Sequence, residues 1–157
     1  MNVKRREVLK QGGGVTLLAL VTAAGWLVPR DAAAQSWNKA AFETQSMDET
    51  MKALGGGVPV PSKDIQFVST PDIAENGAVV PVGVTSTVPK TESIAILVEK
   101  NPNMLAAVFD IPAGTDPSLS TRIKMGQSSN VYALVKADGK YYVASKEIKV
   151  TLGGCGG

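Results

Sequence analysis

The sequence predicts an all-β fold: an immunoglobulin-like sandwich of about seven strands, preceded by one short helix and followed by a flexible, glycine-rich C-terminal tail. Three observations predict it. Apolar, β-branched stretches recur every 8 to 14 residues or so from Ile65 onward, with Pro, Gly and Asn turns between them. The strand–helix–strand alternation of a parallel sheet is missing. Helical periodicity occurs once, ahead of the first strand.

The first 34 residues read as a leader rather than as domain. Lys4-Arg5-Arg6-Glu7-Val8-Leu9-Lys10 is basic and polar, Val15 to Val28 is an uncharged apolar run of 14 residues, and Ala32-Ala33-Ala34 supplies the small residues that a signal peptidase reads. The apolar run is shorter than the ~20 residues a membrane-spanning helix needs. The paired Arg5-Arg6 before a weakly hydrophobic core, diluted by Gly12-Gly13-Gly14, Thr16 and Thr22, fits a Tat signal, with Val8 where an aromatic is usual. A Sec signal that carries two arginines and an uncleaved anchor are the alternatives. The expectation is export to the periplasm with cleavage near Ala34-Gln35, leaving no membrane attachment. Residues 1–34 carry five of the 16 Lys and Arg and two of the 14 Asp and Glu, so 11 basic and 12 acidic side chains follow. The basic balance belongs to the leader, and no basic surface remains to suggest nucleic acid or an anionic membrane.

The domain is expected over residues 35–152, long enough to bury a core without staples. Ser46-Met47-Asp48-Glu49 is a capping box, in which the Ser46 hydroxyl and the Glu49 carboxylate each accept from the other residue's amide. Met47, Met51 and Leu54 follow at helical spacing and Gly55-Gly56-Gly57 stops the pattern, so the helix is predicted over about 47–54 with its methionines in the core. Strands are predicted at Ile65–Phe67, Val79–Thr85, Ser93–Glu99, Leu105–Ile111, Ser120–Met125, Val131–Lys136 and Lys140–Val150. Pro81 has no N–H for a ladder and must sit at an edge or a bulge. Ala137-Asp138-Gly139 marks a hairpin between the last two strands. Along the final strand Ile148, Val150 and Leu152 face one way, and Glu147, Lys149 and Thr151 the other.

After Leu152 the chain stops reading as a strand. Gly153-Gly154-Cys155-Gly156-Gly157 has one side chain in five residues, buries no apolar area and carries a high entropy cost of ordering. Cys155 is the only cysteine in a chain with no histidine. An internal disulfide, the common zinc sites and any catalytic pair that needs histidine are excluded. A single thiol in an exported protein either pairs between chains or reacts. The nearest cation in sequence, Lys149, is six residues back, so nothing local activates the thiol. It is better suited to be a handle presented to other proteins' active sites than a catalyst held in a fixed geometry. No catalytic, cofactor-binding or metal-binding residues are assigned.

Other candidates have plainer readings. Asn76-Gly77 reads as a tight turn. Asp72 and Glu75 look like a carboxylate pair but, in a loop, read as solvated or capping groups rather than acid–base catalysts, and Arg122 reads as a strand arginine exposed to water. Trp37 and Phe42 are expected to anchor the first segment or cover a partner.

The tail and the strand Lys146-Glu147-Ile148-Lys149-Val150-Thr151 before it resemble the SoxY family, the carrier subunits of the periplasmic thiosulfate-oxidising (Sox) system. Pro71 to Val82, the Glu99-Lys100-Asn101-Pro102 turn and Ser120-Thr121-Arg122-Ile123 extend the resemblance over the mature chain. It implies a heterodimer with a SoxZ-like subunit and covalent attachment of sulfur intermediates to Cys155, with Gly153, Gly154, Gly156 and Gly157 as the arm. It also implies loading by a SoxXA-like haem enzyme, sulfate release by a SoxB-like hydrolase and, where present, oxidation by a sulfane dehydrogenase. The competing expectation is a structural module that dimerises through its tail thiol.

Overall fold

The computed structural model describes residues 38–151. The leader, Trp37, Leu152 and the tail with Cys155 lie outside the described residues. Two helices, α1 (Lys39–Phe42) and α2 (Met47–Ala53), precede nine strands: β1 (Val60–Pro61), β2 (Ile65–Val68), β3 (Ile73–Ala74), β4 (Val80–Ser86), β5 (Thr91–Val98), β6 (Leu105–Asp110), β7 (Ser118–Ile123), β8 (Ser129–Ala137) and β9 (Lys140–Val150).

The helical start follows its sequence signals closely. Ser46 has extended backbone, and its hydroxyl accepts from the Glu49 amide at 3.3 Å. The return arm of the box differs from expectation: the Glu49 carboxylate accepts from the Gln45 amide at 3.0 Å, one residue earlier than the reciprocal pattern. Gly55 takes the left-handed conformation (φ 72°) that ends α2, with Gly55 N–H on Lys52 O and Gly56 N–H on Met51 O. That is the double hydrogen bond of a glycine-terminated helix. Residues 39–42 form a helix of their own, capped by the Asn38 side chain, instead of extending α2.

All seven predicted strands form. One sheet runs β1-β9-β8-β5-β6 with β3 also on β9, and the second runs β2-β4-β7. The two are packed face to face over Val80, Val82, Val84, Ile94, Ile96, Val98, Val131, Val135 and Ile148. The outer face of the larger sheet is covered in turn by the helices, where Ala41 and Met51 pack with Leu97, Leu105 and Leu134. Burial on both faces explains why Ile94 to Val98 is an unbroken buried run rather than an alternating one. The β8–β9 connection pairs Ala137 with Lys140, and Asp138 and Gly139 both have positive φ. It is the two-residue turn whose twist matches the strands. Pro81 pairs with Arg122 of β7, on a stretch of β4 that β2 does not reach, since β2 pairs only from Gly83 to Ser86. The missing N–H therefore breaks no ladder.

The sequence did not foresee β1 and β3. Both are two-residue strands that pair parallel to β9 on the edge away from β8, β1 at Tyr142–Val143 and β3 at Lys149–Val150. Segments this short carry no alternation to detect.

Candidate functional site

Cys155 and its four glycines lie outside the described residues. What the structure defines is the place from which they leave the domain. β9 is the strand that leads to them, and Thr151 is its last described neighbour, four residues before Cys155.

The strand end is held on both sides. Ladder pairing with β8 finishes at Ser129 opposite Ile148, so Val150 lies beyond it. The Ser128 side chain takes over there: Val150 N–H donates to Ser128 Oγ at 2.9 Å, and that hydroxyl lies 3.4 Å from Val150 O. On the opposite edge Lys149 N–H donates to Asp72 O at 2.9 Å and Thr151 N–H to Ala74 O at 3.0 Å. Beneath Val150 lies Gly77, buried in the loop between β3 and β4, whose carbonyl accepts from Met125 N–H at 2.7 Å. A Cβ at Gly77 would stand 2.4 Å from Met125 O and 2.9 Å from Val150 Cγ1. Only glycine permits this approach.

Neighbouring loops are tied to this end of the sandwich. Asn101 donates through Nδ2 to Lys124 O at 2.8 Å and accepts from Gly126 N–H at 3.3 Å. Lys100 N–H donates to Ser129 Oγ at 3.0 Å, and Asn130 Nδ2 to the Glu99 carboxylate at 2.8 Å. The predicted 99–102 turn thus joins the β7–β8 loop. Asn76-Gly77 is the tight turn expected, with Asn76 Oδ1 accepting from Ala78 N–H at 2.9 Å.

Asp72, read as a solvated or capping loop carboxylate, has a cation partner. It engages Lys146 at 3.0 Å. Lys146 shares the inward side of β9 with Ala144 and Ile148, and its ammonium also donates to Thr70 O at 2.5 Å. Thr70 is itself locked: its hydroxyl accepts from Gly83 N–H at 3.0 Å and lies 3.2 Å from Gly83 O. Arg122 is exposed on β7, as expected, and Phe42 packs in the helix-side cluster. Sequence reading missed Ser128 and Lys146. A lysine at an inward register position was a visible signal, because such a cation needs partners. Ser128 carried none.

Two clefts among the described residues lie away from this strand end. One shallow cleft sits between Lys90–Glu92 and Ile111–Pro117, and another beside Pro61, Lys63, Tyr132 and Ser145. Burial pushes the Tyr132 phenol up, and the Glu99 carboxylate adds to the shift, so it stays a protonated donor at neutral pH. Among the described residues no three His, Cys, Asp or Glu side chains gather to hold a metal. Leading to the predicted tail, the described residues show a strand end hydrogen-bonded on both edges.

A family model described as sulfur oxidation protein SoxY matches residues 51–155. The chain is similar to the solved structure of the sulfur carrier protein SoxY from Chlorobium limicola f thiosulfatophilum, at 38% identity and a TM-score of 0.60, covering 67% of this chain and 96% of that one. It is also similar to superoxide reductase (neelaredoxin) from Ignicoccus hospitalis, at 19% identity and a TM-score of 0.48, over 55% of this chain and 79% of that one. No curated protein matches the sequence.

Proposed function

The chain belongs to the SoxY family of sulfur oxidation proteins, and from that premise we propose that it is an exported, non-catalytic carrier that holds sulfur intermediates covalently on Cys155. The observation that carries the assignment to this residue is its uniqueness. Cys155 is the one cysteine of a chain without histidine, and it follows a strand end that is fixed on both edges. The four residues from Thr151 to Cys155 span at most about 13–14 Å. Gly153, Gly154, Gly156 and Gly157 leave the thiol as the only side chain at the end of that span, narrow enough to enter another protein's active site.

In this reading the thiolate and thiosulfate are joined oxidatively. An S–S bond forms between Cys155 Sγ and the outer sulfur of thiosulfate, and two electrons pass to a SoxXA-like haem enzyme. The product is a cysteine S-thiosulfonate carrying one negative charge. Water then attacks the terminal sulfonate on a SoxB-like hydrolase, releasing sulfate and two protons and leaving a persulfide anion on Cys155. A sulfane dehydrogenase, where present, oxidises that sulfur further. A SoxZ-like subunit completes the heterodimer. No base of this chain is required, because each partner supplies the activation that the tail lacks. Export through the Tat pathway, with cleavage near Ala34-Gln35, puts the carrier in the periplasm with these partners.

The test is intact-mass measurement of protein purified from thiosulfate-grown cells. Adducts with the mass of a thiosulfate unit or of added sulfane sulfur are expected. They should be removed by reductant and be absent from Cys155→Ser. A bare polypeptide mass under every growth condition overturns the proposal.

A further inference from the structure

We propose that Ser128 and Lys146 are positioning residues for the carrier arm: from opposite edges they hold the last residues of β9 and so fix the point at which the arm is anchored. The proposal rests on the reading of Cys155 as the attachment site.

Each edge has a gap that one side chain fills. On the β8 side the ladder stops at Ile148, two residues short of Val150. The Val150 amide has the Ser128 hydroxyl as its partner, at 2.9 Å. On the other side the partner is β3, two residues long and too short to hold itself in place. Its lead-in is the segment from Ser69, a non-glycine residue with φ 51°, to Asp72. Lys146 pins that segment twice, through Thr70 O at 2.5 Å and the Asp72 carboxylate at 3.0 Å. Asp72 O and Ala74 O in turn receive the Lys149 and Thr151 amides. The Lys146 side chain is 25% exposed, against 88% for that of Asp72, so the half of the clamp that lies within the fold is the lysine and the Thr70 carbonyl.

Positioning matters because the arm is short. The thiol lies within about 13–14 Å of extended chain from Thr151, so fraying of residues 149–151 frees more chain, enlarges the volume the thiol samples and lowers its effective concentration at a partner's active site. The clamp therefore acts on delivery and leaves the intrinsic reactivity of the thiol untouched.

The experiment compares S128A, S128T, K146M and K146R in the full mature protein. Amide hydrogen exchange is read at Lys149, Val150 and Thr151 and, as a control, at Ile96 and Leu134 in the core. Iodoacetamide alkylation of Cys155 and thiosulfate loading by the haem enzyme are read in parallel. In S128A and K146M exchange at 149–151 is expected to rise about fivefold to tenfold, the loss of about one net hydrogen bond. Core exchange and alkylation stay unchanged, while kcat/KM for loading falls by up to that factor, and S128T and K146R restore both values. Unchanged exchange at 149–151 overturns the proposal, as does an equal acceleration in the core or loading that is indifferent to faster exchange. If the wild type itself takes up no thiosulfate, the carrier reading fails, and exchange with its threonine and arginine rescue still decides whether these side chains hold the strand end.

Discussion

Replacing Gly77 with alanine tests whether the floor under the departing strand is as tight as it looks. The new methyl group would start 2.4 Å from Met125 O and 2.9 Å from Val150 Cγ1. Ordinary contact begins near 3.4 Å, so backbone or the end of β9 must move by about 1 Å. The carbonyl cannot rotate away as a side chain could. It belongs to the residue whose own N–H donates to Gly77 O at 2.7 Å, so relief of the clash strains that bond. Overpacking of this kind costs about 1–3 kcal/mol, and a compromised hydrogen bond adds about 1. The smaller conformational freedom of alanine in the unfolded chain offsets about 0.4–1 kcal/mol. The expected net loss is roughly 2–3 kcal/mol, seen as a lower urea midpoint at unchanged slope and a melting temperature lower by roughly 10 °C. Gly57→Ala is the matched control, since nothing lies within 4 Å of its Cβ position. It should be neutral or slightly stabilising. A cost for Gly77→Ala below about 0.5 kcal/mol, or an equal cost for Gly57→Ala, would refute the reasoning from close approach.

The buried hydroxyls of Thr44 and Thr50 lie 2.6 Å apart, and each is also within hydrogen-bond distance of a carbonyl, Ala41 O at 2.7 Å and Ser46 O at 2.8 Å. Two protons thus serve three contacts. Because Ser46 O keeps the Thr50 amide at 3.0 Å, Thr50→Val should cost only about 1 kcal/mol in chemical denaturation; a loss above about 3 would contradict this count. The Lys136 ammonium, 3.2 Å from Glu92, hydrogen-bonds its carboxylate and holds the carboxyl below its ordinary value, and the carboxylate in turn pushes Lys136 up. That stability is present above the unfolded carboxyl value of about 4.3 and below the unfolded lysine value of about 10.4, and is lost as pH falls through the lowered value or rises through the raised one. The difference in melting temperature between wild type and Glu92→Gln should therefore be constant around neutrality, shrink toward about pH 3 and shrink in about 1 M salt; a difference unchanged at low pH would count against the pairing.

Much of the fold was legible because its signals are local. Apolar, β-branched stretches between turn residues located seven strands, Asp138-Gly139 located the hairpin, and Ser46 with Gly55 bracketed α2. Each depends on residues within a few positions of one another. The predicted attachment residue was equally local, a single cysteine among glycines. Two-residue strands have no such signature. β1 and β3 exist because β9 offers an open edge to chain arriving from more than 70 residues away in sequence. Lys146 announced itself by an inward register position, but its partners Thr70 and Asp72 could not be named before the edge they lie on was known. Ser128 reads as an ordinary loop serine until β8 is seen to stop short of Val150.

By itself, then, the sequence determined the sandwich and the family resemblance, and it holds a single thiol, because composition and short-range patterns control those properties. Tertiary structure alone decided how the strand leading to that thiol is held. A backbone amide beyond the end of its ladder must find an acceptor wherever the fold supplies one. Here the acceptors came from Ser128, Asp72 and Ala74, brought together by pairings of long sequence separation.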